Sequence, residues 1–197
     1  MVGIDLQATK PAPPANFRLV KGNLLNTLPF ADDQFDFVHQ RFLVAAVPLP
    51  SWDGLIAELV RVARPGAWLE LVEAAWSIEP AGPATARMVG LARRLGASLG
   101  LDSSGWVFRA LGECLTGAGV TDVRRRTLDI PLGEWGGRAG SLMATDYRAA
   151  AMRLSDVYQA RFGISARECH ELIRAAWREW EELHSTCAIA IAHGRKA

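Results

Sequence analysis

Asp5 is the residue whose type and position most clearly suggest chemistry. It follows the short apolar run Val2-Gly3-Ile4, a pattern typical of a buried strand with a carboxylate at its carboxyl end. The two oxygens of a carboxylate can accept both hydroxyl hydrogens of a ribose, and nucleotide-binding α/β proteins place an acidic residue at such a strand end. Because Asp is also a common turn residue, termination of the strand is the alternative role.

Other side chains with catalytic potential are less well placed. Asp32, Asp33 and Asp36 look like the paired carboxylates of acid–base enzymes, but their position beside a turn favours turn formation and strand capping. His39 is a weak candidate for a general base, and a hydrogen-bonded histidine in the core is the favoured interpretation. The cysteines and the other histidines lack the spacing of metal ligands, so no metal site is predicted.

Strands and helices that alternate along the chain must position these side chains. Apolar alternation and Gly or Pro breaks predict strands over 2–6, 17–21, 35–39, 67–74, 123–132 and 186–193. Helical periodicity predicts helices over 51–63, with Ser51 as N-cap, and over 82–99, 106–118, 138–161 and 166–184. The alternation indicates an α/β sandwich with a mostly parallel sheet, in which the last strand, after a helical pair, can run antiparallel.

The bulk composition limits the classes of function. A chain of 197 residues that is 50% hydrophobic and 22% charged is expected to form one globular domain. A formal net charge of +1 offers no general attraction to nucleic acid or to an anionic membrane. The basic run Arg124–Arg126 is expected at a solvated sheet edge. Three widely spaced cysteines, no visible signal peptide and no long apolar stretch favour a reducing cytoplasm.

Several stretches, taken in order, resemble the class I S-adenosylmethionine-dependent methyltransferases of quinone biosynthesis and secondary metabolism. These stretches are VGIDL, GNLLNTLPFADDQFDFVHQRFL, ELVRVARPGAWLELVE and, near the end, AHGRK. The resemblance implies a Rossmann-like methyltransferase fold with helices on both faces of the sheet, and S-adenosyl-L-methionine as cofactor. It also implies a single domain over 1–197, in which residues 138–184 form a helical insertion that covers the substrate.

The resemblance assigns the adenosine end of the cofactor to the first strands. It implies that Asp5 accepts both ribose hydroxyls and that the neighbouring Leu6 packs near the adenine. Asn23 stands where the family usually has Asp, and its side-chain oxygen would accept from the adenine amino group. The backbone N–H of Leu24 would face the adenine ring.

The methionine end of the cofactor and the acceptor would meet at Gln40 and Arg41. Methyl transfer needs mainly proximity, alignment and exclusion of water, so an obligatory base is not required. The lack of a basic surface favours a small-molecule acceptor. The sequence leaves open whether the chain forms a homo-oligomer. One alternative is a non-catalytic, degenerate methyltransferase-like binding module. The other is a nicotinamide-dependent oxidoreductase, since Asp5 also suits the ribose of NAD, but the LPF…FD and HGRK segments speak against it.

In that family, the strand equivalent to 2–6 is the second one, in a sheet of order 3-2-1-4-5-7-6. The resemblance therefore implies an N-terminally truncated domain that lacks the first strand and its glycine-rich turn, with a central gap between strands 2–6 and 35–39. A gene that starts upstream of Met1 and a truncated gene are the favoured explanations. Direct pairing of the two strands, or a strand from another chain, are the others.

Overall fold

The computed structural model describes residues 1–7 and 14–197, and its strands and helices alternate as the sequence predicts. The strands are β1 (Val2–Asp5), β2 (Arg18–Lys21), β3 (Phe35–Arg41), β4 (Ala63–Glu79), β5 (Val120–Pro131) and β6 (Thr186–Lys196). The helices are α1 (Trp52–Val62), α2 (Pro83–Ser98), α3 (Trp106–Gly117), α4 (Gly137–Arg153), α5 (Ser155–Phe162) and α6 (Ala166–Glu182).

The strands form two separate sheets. β1 and β2 pair in parallel, with Val2 opposite Arg18 and Asp5 opposite Lys21. The other four strands have the order β3-β4-β6-β5, in which β3 runs parallel to β4 and β6 runs antiparallel to both of its neighbours. The last strand thus has the antiparallel direction that the sequence allowed.

One face of the four-stranded sheet carries the first core. The stripe of Leu55, Ile56 and Leu59 on α1 packs there because residues three and four apart share a helix face. Ser51 is the N-cap residue of α1, as predicted, but its side chain makes no capping hydrogen bond. A short 3-10 turn over Leu49–Ser51 leads into the helix.

The second core lies among α2, α4, α5 and α6 and is centred on Trp180, which is fully buried. The apolar stripe predicted on α6 faces this core, and Ser165 and Glu168 form a capping box at its start. The helix predicted over 138–161 is divided at Leu154 into α4 and α5. Across the described residues, no helix has both the length and the apolar character that a membrane crossing requires.

Two acidic residues of α6 fasten the second core to neighbouring elements. The carboxylate of Glu179 accepts hydrogen bonds from the backbone N–H groups of Ala84 (2.9 Å) and Thr85 (2.7 Å). Glu181 accepts one from the N–H of Glu134 at 2.7 Å. Because the first N–H groups of a helix lack partners within it, a carboxylate there satisfies both charge and hydrogen bonding at the start of α2.

The two longest strands extend beyond their predicted ends. β4 runs over 63–79 rather than 67–74, and β6 continues to Lys196. The two are paired from Trp68 opposite Arg195 to Glu79 opposite Thr186, with an irregularity after Ala74. β5 is one of the two edge strands of this sheet, and its Arg124–Arg126 run is exposed, as predicted.

Candidate functional site

A groove of about 330 Å³ lies between β1 and β3. All four residues of β1 line it, and so do Phe35 and residues 37–41 of β3. Within residues 1–7 and 14–197, β1 pairs only with β2 and β3 pairs only with β4, so each strand keeps one free edge. Direct pairing of these two strands, which the sequence left open, is therefore absent from the described chain.

The body of the groove is apolar. Leu28, Leu55, Leu59 and Val62 line it, all of them buried residues of the first core. The polar side chains of the lining belong to the ends of β1 and β3, where Asp5, Gln40 and Arg41 are found. An apolar body with a few polar groups at its margin is the usual composition of a small-molecule site.

Only two of the four residues predicted to contact the adenosine end of the cofactor line the groove. Asp5 and Leu24 line the groove, whereas Leu6, which is 61% exposed, and Asn23 do not. One oxygen of Asp5 accepts the backbone N–H of Gln7 at 2.9 Å, which leaves the second oxygen for a ligand. The side-chain oxygen of Asn23 accepts the N–H of Leu25 at 2.9 Å and so stabilises its own turn.

The side-chain amide of Gln40 donates a hydrogen bond to a buried carboxylate, that of Glu73, which was not predicted from the sequence. Glu73 of β4 has no exposed surface, and its Oε1 accepts from the side-chain amide of Gln40 and from the N–H of Leu43 at 2.7 Å. Its Oε2 accepts the N–H of Val44 at 3.0 Å. One side chain therefore fixes the end of β3 and the loop that follows it.

Burial raises the pKa of Glu73, while the three donors partly oppose that shift. A signal for this residue was present in the sequence. Glu73 has the same parity along β4 as the buried Leu69 and Leu71, so strand alternation places a carboxyl group on the inward face. An acidic residue at an inward position needs hydrogen-bond donors, and the loop after β3 provides them.

Gln40 retains one unsatisfied atom. Its amide nitrogen donates to Glu73, but its Oε1 is buried and has no hydrogen-bond partner among the described residues. An unpaired buried acceptor costs about 1–3 kcal/mol. Because Gln40 is only 5% exposed and lines the groove, a donor group bound in the groove is the natural partner for this oxygen.

His39 and Arg41 lie on the outward face of β3. Arg41 is exposed, with its guanidinium 5.3 Å from the ring centroid of Phe42. The favoured placement of His39 in the core is wrong, because its side chain is 41% exposed. Its Nδ1 lies 3.0 Å from Oε1 of Glu70 on β4, and its ring stacks on Phe37. His39 also lines the groove, so it stays a weak candidate base.

The three clustered aspartates each contact a different cation, and none of them lines the groove. Asp32 binds Arg61 at 2.7 Å, Asp33 binds Lys196 at 2.7 Å, and Asp36 contacts Arg64. Arg61 also donates to Glu58 and to the carbonyl groups of Leu28 and Phe30, which fixes the turn before β3. These pairs support the structural role that the sequence favoured. The described residues contain no cluster of side chains able to hold a metal ion.

Comparison with known proteins gives consistent results. Residues 2–71 match the family model described as a methyltransferase domain. A curated relative, the N-methyltransferase sirN of Leptosphaeria maculans, is 27% identical over 173 residues. That alignment covers 82% of this chain and 59% of the relative, so the chain spans less than two thirds of the relative's length.

Solved structures confirm the predicted fold. Phosphoethanolamine N-methyltransferase 2 of Haemonchus contortus, in complex with phosphomonomethylethanolamine and S-adenosylhomocysteine, superposes with a TM-score of 0.51 at 11% identity. The match covers 93% of this chain and 39% of that one. The same enzyme in complex with S-adenosyl-L-methionine gives a TM-score of 0.50, also at 11% identity, with 93% and 38% of the two chains covered.

Proposed function

We propose that the chain is a class I S-adenosylmethionine-dependent methyltransferase and that its groove binds S-adenosyl-L-methionine for methyl transfer to a small molecule. The observation that carries the proposal is the buried, unpartnered Oε1 of Gln40 on one wall, with Asp5 on the other. A molecule with an ammonium group at one end and ribose hydroxyls at the other would satisfy both.

The residues present fit the two ends of this cofactor. The free oxygen of Asp5 suits the ribose hydroxyls, and Oε1 of Gln40 suits the ammonium group of the methionine end. When bound, the cofactor supplies a methyl group on a positively charged sulfur, which is open to attack by a nucleophilic atom. The contribution of this chain is to bind, to orient and, through the apolar side chains around Leu28 and Leu55, to exclude water.

A non-catalytic binding module is the second candidate, and one observation favours it. Between Asp5 and Gln40, the described walls consist of free strand edges and apolar side chains. Apart from His39 and Arg41, the side chains there are apolar, so most hydrogen bonds to the middle of the cofactor would have to come from the backbone groups of the free strand edges. Binding without turnover would then be the outcome, and release of S-adenosylhomocysteine in the presence of small phenols and amines separates the two candidates.

Calorimetric titration of the full chain with S-adenosyl-L-methionine tests the proposal. We expect Asp5→Ala to weaken binding about 10- to 100-fold, because hydrogen bonds to a charged group contribute about 1.5–3 kcal/mol. Gln40→Met, which keeps the length but removes the acceptor, should cost about tenfold or more for the same reason.

The matched control is Asp146→Ala, an exposed aspartate on α4 that lies outside the groove lining. This variant should bind as the wild type does. No measurable heat at millimolar cofactor with the wild type, or unchanged affinity in both groove variants, would contradict the proposal.

A further inference from the structure

A second cavity, of about 270 Å³, lies between the sheet and the helices of the second core. It adjoins the far end of β4 and is roofed by α2, α4 and α5. Its lining includes Ala74, Ala75, Trp76, Ile78, Met88, Val89, Ala92, Tyr147, Ala150, Ala151, Leu154 and Tyr158, with Val44 and Ala45 from the loop after β3 and Ser77.

Small side chains create this space. Ala74 and Ala75 on β4, Ala92 on α2, and the pair Ala150–Ala151 on α4 are the points at which these elements offer only a methyl group to the cavity. Larger residues at the same points would fill it. None of the described residues in the lining is charged, so the cavity suits an apolar molecule and disfavours an ion.

One polar atom in the lining lacks a partner. Nε1 of Trp76 is buried and donates to no described residue. The backbone of Trp76 is fixed, because its carbonyl accepts a hydrogen bond from Nε of Arg93 at 2.7 Å. A buried indole N–H without a partner costs about as much as any lost hydrogen bond, so a bound acceptor atom would remove a penalty that the free protein carries.

The two tyrosines of the lining add polarity without charge. Burial raises the pKa of Tyr158 to about 12 and raises that of Tyr147 as well. Both hydroxyl groups therefore stay protonated across the ordinary pH range. The hydroxyl of Tyr147 is engaged with Cys187, outside the lining. Neither tyrosine offers a counter-ion to a charged ligand.

The cavity and the groove share a wall. Leu43 lines the groove and Val44 lines the cavity, and the carboxylate of Glu73 holds the N–H groups of both. The next residue of β4, Ala74, already lines the cavity. A molecule in the cavity would thus lie on the other side of Glu73 and of the loop at Leu43 and Val44 from the groove.

From these contacts we propose that the cavity holds the methyl acceptor and that this acceptor is an uncharged, largely apolar molecule with one hydrogen-bond acceptor facing Trp76. The identity of the cavity as the acceptor site rests on the proposed function. The chemical class of its ligand rests on the lining alone.

The test uses prodan, an uncharged naphthalene with a single ketone whose fluorescence reports an apolar surrounding. It is compared with the naphthalene carboxylate of the same ring system. We expect prodan to bind the wild type with a blue-shifted emission, and the carboxylate to bind at least tenfold more weakly. Ala92→Phe should fill the cavity and weaken prodan at least tenfold, whereas Ala86→Phe, exposed on the same helix, should leave prodan binding unchanged.

Trp76→Phe keeps the ring and removes the N–H, so it should weaken prodan by a few fold and serves if Ala92→Phe fails to fold. Equal prodan affinity in both cavity variants and the wild type, or tight binding of the carboxylate, would overturn the proposal. Titration of Ala92→Phe with S-adenosyl-L-methionine should match that of the wild type. A wild type that binds prodan but not the cofactor contradicts the proposed function only, and the reverse result contradicts the cavity assignment only.

Discussion

Trp180→Ala is expected to lower the free energy of unfolding by about 3–5 kcal/mol, the usual loss when a large buried aromatic side chain is truncated. Trp180 has no exposed surface, and its ring lies 6.2 Å from that of Trp177 and 6.3 Å from that of Tyr147. Removal of the indole leaves a cavity at the centre of the second core. Urea unfolding followed by far-ultraviolet circular dichroism measures the loss.

Trp106→Ala provides the matched control, since the same substitution is made at a residue that is 41% exposed. It should cost less than about 1 kcal/mol. Equal losses for the two variants would show that Trp180 does not anchor the second core.

The same experiment bears on the domain organisation. Trp52 is the corresponding residue of the first core, at 1% exposure. β4 and β6 each contribute to both cores, β4 through Leu69 and Ile78, and β6 through Ala190 and Cys187. We propose that 1–197 unfolds as one domain, with 138–184 as a helical insertion over the sheet. Trp52→Ala and Trp180→Ala should then shift a single transition, whereas two separate transitions would contradict this.

Glu73→Ala is expected to lower the free energy of unfolding by about 2–4 kcal/mol. The substitution leaves the N–H groups of Leu43 and Val44 buried without acceptors, at about 1–3 kcal/mol each. Loss of a buried carboxyl group with a raised pKa offsets part of this. Glu73→Gln should cost less, because its amide oxygen still accepts. Glu113→Ala, exposed on α3, is the control and should be close to neutral in urea unfolding.

Glu73 also gives the stability a pH dependence of defined sign. Its pKa is raised in the folded state, so its contribution is fully present below the unfolded value of 4.5 and is lost as pH rises through the folded pKa. Glu58 acts in the opposite direction, because its hydrogen bond from Arg61 lowers its pKa. Its contribution is therefore lost as pH falls.

The difference between the wild type and Glu73→Gln, which cannot titrate, isolates the first effect. The wild type should lose stability relative to the variant as pH rises from about 4.5 toward neutrality. A difference that stays constant over that range would show that Glu73 keeps an ordinary pKa in the folded chain.

The regular elements were predictable because local pattern and tertiary packing agree. The apolar stripe on α6 identifies a buried face that the structure confirms. In β3, however, the buried residues are Val38 and Gln40, whereas Phe37 is exposed. The break at Leu154 was not predictable, since neither Gly nor Pro marks it in the sequence. Ser51 is the N-cap residue as predicted, but it makes no side-chain capping bond, since it is also the last residue of the 3-10 turn that precedes the helix.

The site was predictable in part. Asp5 was predicted from its position at the end of a strand, because such a side chain is placed by local sequence, whereas Gln40 was predicted only from the resemblance to methyltransferases. The burial of His39 was predicted wrongly, because it depends on which elements cover the outer face of β3. No local sequence pattern predicts that. The contacts of Glu73 and the cavity at Ala74 each depend on how three or more elements pack together. Local sequence patterns contain little information about such tertiary contacts.

The free edges of β1 and β3 have a consequence for cooperativity. A two-stranded sheet is marginal on its own, so β1 and β2 keep their form mainly through contacts such as that of Ile4 with the first core. This pair is expected to open locally at a lower free energy than the rest of the chain. A ligand that contacts both Asp5 and Gln40 would raise the free energy of this local opening. With the ligand bound, β1 and β2 would separate from the first core only when the whole chain unfolds.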